Sequence, residues 1–395
     1  EQMSSRLIPI FSLEKILSDF SIGKIKDHKQ RAALARSGVR KLISFQRWDG
    51  GWGNWQGSRI SWPYVSAYAT WALLRAKKSK EKVPEYNLRR ARRFLKQRLD
   101  HPLTEFGEQY NWVAQTASVW VLSELGQHEK KHLTRLYGLR RRLPMFARAW
   151  LMVALHRSEG RSPRVNEILR ELNNAAVQTA SAAHFAEGKS ESLRLLMHSN
   201  DRTDAIVLHA LLEVAPRHSL MPKIARGLLQ SRVRGHWSTT QANAFALAAL
   251  ARYYKQVEHE VPNHISQIWY GEGYMGEGKF SGRQMKVVQQ QIPLAALSKL
   301  GEQELQLAKR GRGKLYYRIG LRYAPTDLKL PPEEQGFAVT RSYEPVEEAK
   351  GTVKREKDGT WVVKAGSYVR VRLTVVVPDR RYFVAVMDPL PAGLE

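Results

Sequence analysis

Three observations predict an α+β, multidomain chain in which a long helical domain is followed by β modules. From residue 31 to about residue 254, apolar residues recur at intervals of three and four, which places them on one face of a helix. After residue 254 the recurrence changes to period two, as half-buried strands require. At 395 residues the chain is also too long for one typical domain, so two or three are expected.

The first helical stripes are Ala33, Leu34, Val39, Leu42 and Ile43, then Val65, Ala69, Ala72, Leu73 and Ala76. A third runs through Trp112, Ala114, Thr116, Ala117, Val119, Trp120 and Leu122, and later ones over 145–155, 165–173, 203–214, 221–229 and 241–254. Breakers separate them at Pro84, Pro102, Pro144, Pro163, Pro216 and Gly235. Small residues crowd the stripes at Ala67, Ala69 and Ala72 and again from Ala242 to Ala249, which lets helices approach closely, as in two concentric layers. The polar run at 198–204 opens a helix, with Asp201 or Thr203 expected to cap its free N–H groups.

Between two helical stretches lies Gln46-Arg47-Trp48-Asp49-Gly50-Gly51-Trp52-Gly53-Asn54-Trp55-Gln56-Gly57-Ser58, running on to Trp62. Gly51, Gly53 and Gly57 allow backbone angles that other residues resist, so a tight, shaped loop is expected. Its Trp rings are a large apolar surface to bury, each with an N–H that needs a partner. Such a loop resembles the inter-helix turns of α/α toroids; it marks a fold and carries no chemistry.

In the β part, alternation over 314–323 and 336–343 predicts strands, as do 368–377 and 381–386. Lys357-Asp358-Gly359-Thr360-Trp361 reads as a hairpin turn, and Pro331-Pro332-Glu333-Glu334 as a joint.

Composition bounds the function. The chain has no Cys, which excludes disulfides, thiolate metal sites and a Cys nucleophile within it. His, Asp and Glu do not fall at metal-ligand spacing, and neither a phosphate loop nor a Ser nucleophile elbow is present, so no metal or cofactor is expected. No stretch approaches the ~18–20 apolar residues of a membrane span. A formal charge of +27 raises nucleic acid and an anionic membrane surface as partners. The charge is spread along the chain without a nucleic-acid motif, so no specific nucleic acid is expected, while a membrane surface stays open. Both ends read as cut, the first helix starting at once and the last strand pattern stopping abruptly, so an interior piece of a larger polypeptide is expected.

The chain opens Glu1-Gln2-Met3-Ser4-Ser5-Arg6. Together with Ser66-Ala67-Tyr68-Ala69-Thr70-Trp71-Ala72-Leu73-Leu74, the run from His236 to Leu247, and the strand leading into Asp388-Pro389-Leu390-Pro391-Ala392-Gly393, it resembles bacterial α2-macroglobulins. The resemblance spans nearly the whole chain and is weakest over 159–202. It implies an α/α toroid, the thioester-type domain, over 1–256. A CUB-like β module would follow over 257–327, and a truncated macroglobulin-like, receptor-binding-type β domain over 328–395, both β-sandwich modules.

In that family a Cys-x-Glu-Gln motif begins the toroid, and the Cys thiol and the Gln carbonyl form an internal thioester. Glu1 and Gln2 match its last two positions. The Cys would lie just before Glu1, and Gln2 would then be the acyl donor. The resemblance therefore implies an endopeptidase inhibitor, not an enzyme, that traps target proteases. Its other partners would be further domains of the same polypeptide. The location would be the bacterial periplasm or cell envelope, with a lipid anchor at a missing N-terminus as one form of attachment. A thioester needs a dry aromatic pocket, since water would destroy it. His101 and His184 are the candidates for assisting acyl transfer, though a chance loop position explains each as well. Two alternatives stay open: a toroid enzyme of terpene-cyclase or glycosidase type, for which no paired carboxylates stand out, and a Cys-free, non-covalent family member.

Overall fold

The computed structural model describes residues 1–19, 25–179, 181–188, 195–258, 260–283, 287–293, 302–324, 333–334, 336–346, 351–377 and 384–394. They fall into two units, Glu1–Tyr317 and Arg318–Glu395.

In the first unit the helices run in sequence: α1 (Gln2–Asp19), α2 (Ile25–Ser44), α3 (Pro63–Lys78), α4 (Glu85–Asp100), α5 (Gly107–Glu124) and α6 (Lys130–Gly138). Then come α7 (Met145–Glu159), α8 (Pro163–Ala175), α9 (Asn200–Val214), α10 (Leu220–Gln230) and α11 (Thr240–Val257). Odd and even members have different neighbours. α1 packs on α3, α3 on α5, α5 on α7, α7 on α9, α9 on α11, and α11 returns to α1, so the circuit closes. α2, α4, α6 and α10 each lie against the two odd helices that flank them in sequence, and α8 lies against α7.

The sequence explains the division. α3 buries every residue from Ala67 to Leu73, and α7 buries every residue from Ala149 to Leu155. A helix apolar all round must be enclosed on all sides. By contrast α8 buries only Val165, Ile168 and Leu172, a single stripe suited to an outer layer. Helix starts are fixed locally. Thr239 caps α11, its Oγ1 accepting from the Ala242 N–H at 3.0 Å, and Ser162 caps α8 ahead of Pro163. α9 starts earlier than its polar run suggested. Its cap is Ser199, whose Oγ accepts from Arg202 N, rather than Asp201 or Thr203. Those two bond elsewhere: Asp201 accepts from Ser238 Oγ at 2.9 Å, and Thr203 donates to Glu187 at 3.3 Å.

After α8 a two-residue antiparallel ladder joins β1 (Val177–Gln178) to β2 (Ala183–His184). Beyond α11, β3 (Asn263–Tyr270) is the centre of an antiparallel sheet between β4 (Gly273–Ser281) and β5 (Leu305–Arg312). The pleat of β3 is inverted relative to hydropathy, since His264 and Ser266 are buried while Ile265 is exposed. The strand expected at 314–323 is not found. Tyr316, Tyr317, Ile319, Leu321 and Tyr323 are exposed, and residues 314–324 have no ladder partner among the described residues. Alternation supplies a face, but a strand also needs a neighbour to satisfy its backbone.

In the second unit, β6 (Ala338–Pro345) pairs antiparallel with β9 (Val369–Val376), as expected for 336–343 and 368–377. β7 (Val353–Arg355) and β8 (Trp361–Val363) form the expected hairpin. Gly359, at φ 92°, supplies the left-handed turn residue. Of the strand expected at 381–386, the first three residues lie outside the described residues and Val384–Val386 are not in a strand. Pro331 and Pro332 of the expected joint also lie outside them.

Candidate functional site

The first turns of the odd helices meet at one end of the circuit. Glu1, at the head of α1, accepts from Ser5 Oγ at 2.7 Å and from Thr240 Oγ1 of α11 at 3.0 Å. Ser5 Oγ lies 3.0 Å from the Tyr68 hydroxyl of α3. Tyr64, one turn earlier on α3, donates to Gln241 Oε1 of α11 at 2.6 Å and accepts from Arg202 Nη2 of α9 at 2.8 Å. These bonds join residues as far as 239 positions apart in sequence, which ties the start of α1 to the start of α11.

Arg202 is fully buried and has no carboxylate partner in an ion pair among the described residues. Its guanidinium carbon instead lies 4.5 Å from the Phe146 ring centroid, with Tyr64 at 5.4 Å, Trp150 at 5.7 Å and Phe245 at 5.8 Å. An aromatic box of this kind offsets part of the cost of burying the charge. The Leu196 carbonyl accepts from Nη1 at 3.0 Å. Beneath Arg202 the rings stack through the interior: Trp71 on Phe245 at 4.9 Å and Trp120 on Trp150 at 5.3 Å. Burial raises the Tyr64 hydroxyl to about 12, against the opposing pull of Arg202, so at neutral pH it is a hydrogen-bond donor.

Gln2 is the first residue of α1 and its side chain is exposed, while Glu1 beside it is half-buried. The structure thus puts the two motif residues on the rim of this end, Glu1 fixed and Gln2 outward. His101 and His184 make no hydrogen bond to either of them among the described residues. His101 follows α4 and is exposed. His184 on β2 pairs with buried Asp204, Nδ1 to Oδ2 at 3.1 Å, and Asp204 also accepts from Phe185 N at 2.7 Å. The bond to Asp204 raises the His184 pKa and burial raises that of Asp204, so the pair retains its proton to higher pH.

The Trp/Gly loop leads into α3 at this same end. Trp52 is buried, its Nε1 donating to Leu42 O at 2.8 Å, and Trp62 packs on Phe106 at 4.6 Å. The other two rings are not buried: Trp48 is 84% and Trp55 77% exposed. Asp49 does the holding there, accepting from Gly51 N at 3.0 Å and from Ser61 Oγ at 2.8 Å. The glycines also divide differently from expectation. Gly50 (φ 94°) and Gly57 (φ 85°) need the left-handed backbone. Gly51 is instead required for space, since a Cβ there would lie 2.9 Å from the Phe94 ring.

Sequence reasoning missed Arg202, Tyr64, Thr240 and Gln241 as partners. Tyr64 and Tyr68, one helical turn apart in a run of small residues, were a visible signal. Arg202 carried none, because an arginine in a polar helix start reads as solvated.

A circuit of helices followed by antiparallel β modules, with the helix starts gathered round Glu1, has counterparts among known proteins. Residues 336–395 match the family described as the Bacterial Alpha-2-macroglobulin MG10 domain. The Alpha-2-macroglobulin homolog of Nostoc sp. is 26% identical over 409 residues, covering 100% of this chain and 21% of that protein. The crystal structure of Salmonella alpha-2-macroglobulin reacted with methylamine matches with a TM-score of 0.57 at 19% identity, over 95% of this chain and 23% of that one. Escherichia coli alpha-2-macroglobulin activated by porcine elastase matches with a TM-score of 0.59 at 19% identity, over 96% and 31%. These likenesses agree on one family, the bacterial α2-macroglobulins, the family the sequence resembles. The chain spans about a fifth of the length of the curated relative, 21%.

Proposed function

We propose that this chain is the thioester-bearing part of a bacterial α2-macroglobulin-like endopeptidase inhibitor, which traps proteases and can acylate them through Gln2. The observation that carries the reading is the anchoring of Glu1 by Ser5 and Thr240, which fixes the start of α1 and holds Gln2 at the rim. A reactive acyl group needs such a fixed position, because only then can neighbouring structure exclude water from it. With Gln2 exposed in this chain, that exclusion falls to other domains of the same polypeptide, and their departure would release the reaction.

The chemistry balances simply. A protease Lys amine attacks the acyl carbon derived from Gln2, a C–N bond forms, and the C–S bond to the upstream Cys breaks. The thiolate leaves and takes up a proton, giving an amide and one free thiol. In this reading the closed circuit of 1–256 is the α/α toroid, 257–327 completes a CUB-like module, and 328–395 begins the receptor-binding-type macroglobulin domain. The location is the periplasm or cell envelope, where an anionic membrane surface would face the +27 charge.

The relatives support the reading: one was solved after reaction with methylamine and another after activation by elastase. The toroid-enzyme alternative is disfavoured because stacked rings occupy the middle of the circuit, and the carboxylates Glu124 and Glu213 are each taken up in ion pairs with basic side chains. Incubating the intact protein with trypsin and boiling in SDS tests covalent capture. A conjugate heavier than either component is expected. Free protease alone would favour the Cys-free, non-covalent member.

A further inference from the structure

The opposite end of the helical circuit carries a cavity of about 340 Å³ that the proposed trapping does not use. Every odd helix contributes to its wall: Phe11 from α1, Trp71 and Arg75 from α3, Glu124 from α5, Arg157 from α7, Glu213 from α9 and Arg252 from α11. We infer that this cavity is a binding site for a small organic anion carrying at least two negative charges, phosphate ester or polycarboxylate.

Charge is the first ground. Arg75, Lys78, Arg157, Arg252 and Lys255 face the space against Glu124 and Glu213, five cations against two carboxylates, a surplus of three. His209 on the floor adds none. Burial, then Arg252 and Arg75, push its pKa well below the usual value and keep it neutral.

The second ground is the supply of donors. Each carboxylate is already shared by two cations. Glu124 takes Arg75 and Lys78, and Glu213 takes Arg157 at 2.6 Å and Arg252 at 2.9 Å. The buried Arg75 Nε nevertheless has no hydrogen-bond partner, and Lys255 at the mouth has no ion-pair partner among the described residues. Burial, and after it the neighbouring Arg157 and Arg252, lowers Arg75 to about 10.

Shape is the third ground. A cavity of this size exceeds what a bare ion fills and lies within the range of small-molecule sites. Trp71, Phe11 and Ala248 add apolar surface to the lining, with the Arg75 guanidinium 5.8 Å from the Trp71 ring centroid. The bound anion would therefore present its charged head to the arginines and a carbon body to Trp71.

A purely structural role for these cations, balancing the carbonyl ends of the converging helices, would leave no affinity for an anion. Calorimetric titration of the 395-residue chain with pyrophosphate, citrate and inorganic phosphate at matched ionic strength separates the two. Saturable binding and a raised melting temperature are expected with pyrophosphate or citrate, more weakly with inorganic phosphate. Whichever of the first two binds tighter identifies the head group. The double variant Lys78→Gln/Lys255→Gln, at exposed positions and with Arg75 keeping Glu124 paired, should weaken binding by roughly tenfold. Arg252→Gln should weaken it further while Arg157 keeps Glu213 paired. Absence of binding to all three probes would overturn the proposal, as would equal affinity of wild type and the double variant.

Discussion

Arg202 shows how much one side chain decides here. It is a charge in the interior without a counter-ion among the described residues, held by four rings, one hydroxyl and one carbonyl. Truncation to Ala would leave a cavity and strip Tyr64 of its donor, an expected cost of roughly 3–5 kcal/mol. Arg202→Met should cost less than half of that, because an apolar side chain of similar length suits a box of aromatic rings. Denaturant unfolding of both variants measures the difference; equal costs would show that the charge, not the packing, holds the end together.

At the scale of elements, the loop before α3 makes a sharp distinction among tryptophans that look alike in sequence. Trp52→Ala should destabilise by about 3–5 kcal/mol, through lost burial and the orphaned Leu42 carbonyl. Trp48→Ala should stay within about 0.5 kcal/mol, since its ring is in water. Gly51→Ala should cost about 1–3 kcal/mol by driving a methyl into Phe94. Thermal melts of the three would rank them, and a Trp48 effect as large as that of Trp52 would mean that the exposed ring is covered by another part of the protein.

The helices were legible for a physical reason. Inner helices such as α3 and α11 must be small and apolar all round, and outer ones such as α8 must show one stripe, so burial is written in the local pattern. The outer α4 and α6 are absent from the helices expected from sequence, because charged side chains dominate their composition. β5 was missed because Leu305–Arg312 ends in Lys309, Arg310 and Arg312, charges that an exposed strand tolerates. Residues 314–323 were misread because alternation cannot show whether a partner strand exists. Of the candidate site, Glu1 and Gln2 were legible only through resemblance. Their partners come from α3 and α11, and no local pattern reports a contact across more than 200 residues.

Across the whole molecule, the two ends of the circuit differ in kind. At one end polar side chains anchor the helix starts round Glu1, and at the other ion pairs join the helix ends. Burial favours a raised pKa for Glu213, but the hydrogen bonds and charges of Arg157 and Arg252 outweigh it and hold the carboxyl at about 2. A carboxyl depressed in the folded state gives its full stability above its unfolded value near ~4.3 and loses it as the pH falls toward the folded one. Wild type should therefore lose stability between about pH 5 and pH 2, and Glu213→Gln should flatten that part of the curve. The variant should also cost roughly 1–3 kcal/mol at neutral pH, because two guanidinium groups lose their shared partner. Unfolding free energies across that range check both statements.

The acyl-donor role of Gln2 is tested most directly by the mass of the peptide that contains it. The intact protein is cut by a protease in the presence of methylamine, and free thiols are titrated alongside. The expected result is a Gln2 side chain converted to the methyl-substituted amide, with one new thiol per chain. Glu1 should stay unmodified, because its resonance-stabilised carboxylate does not acylate an amine. An unmodified Gln2 with no new thiol would contradict the covalent mechanism and leave a trap that works without Cys.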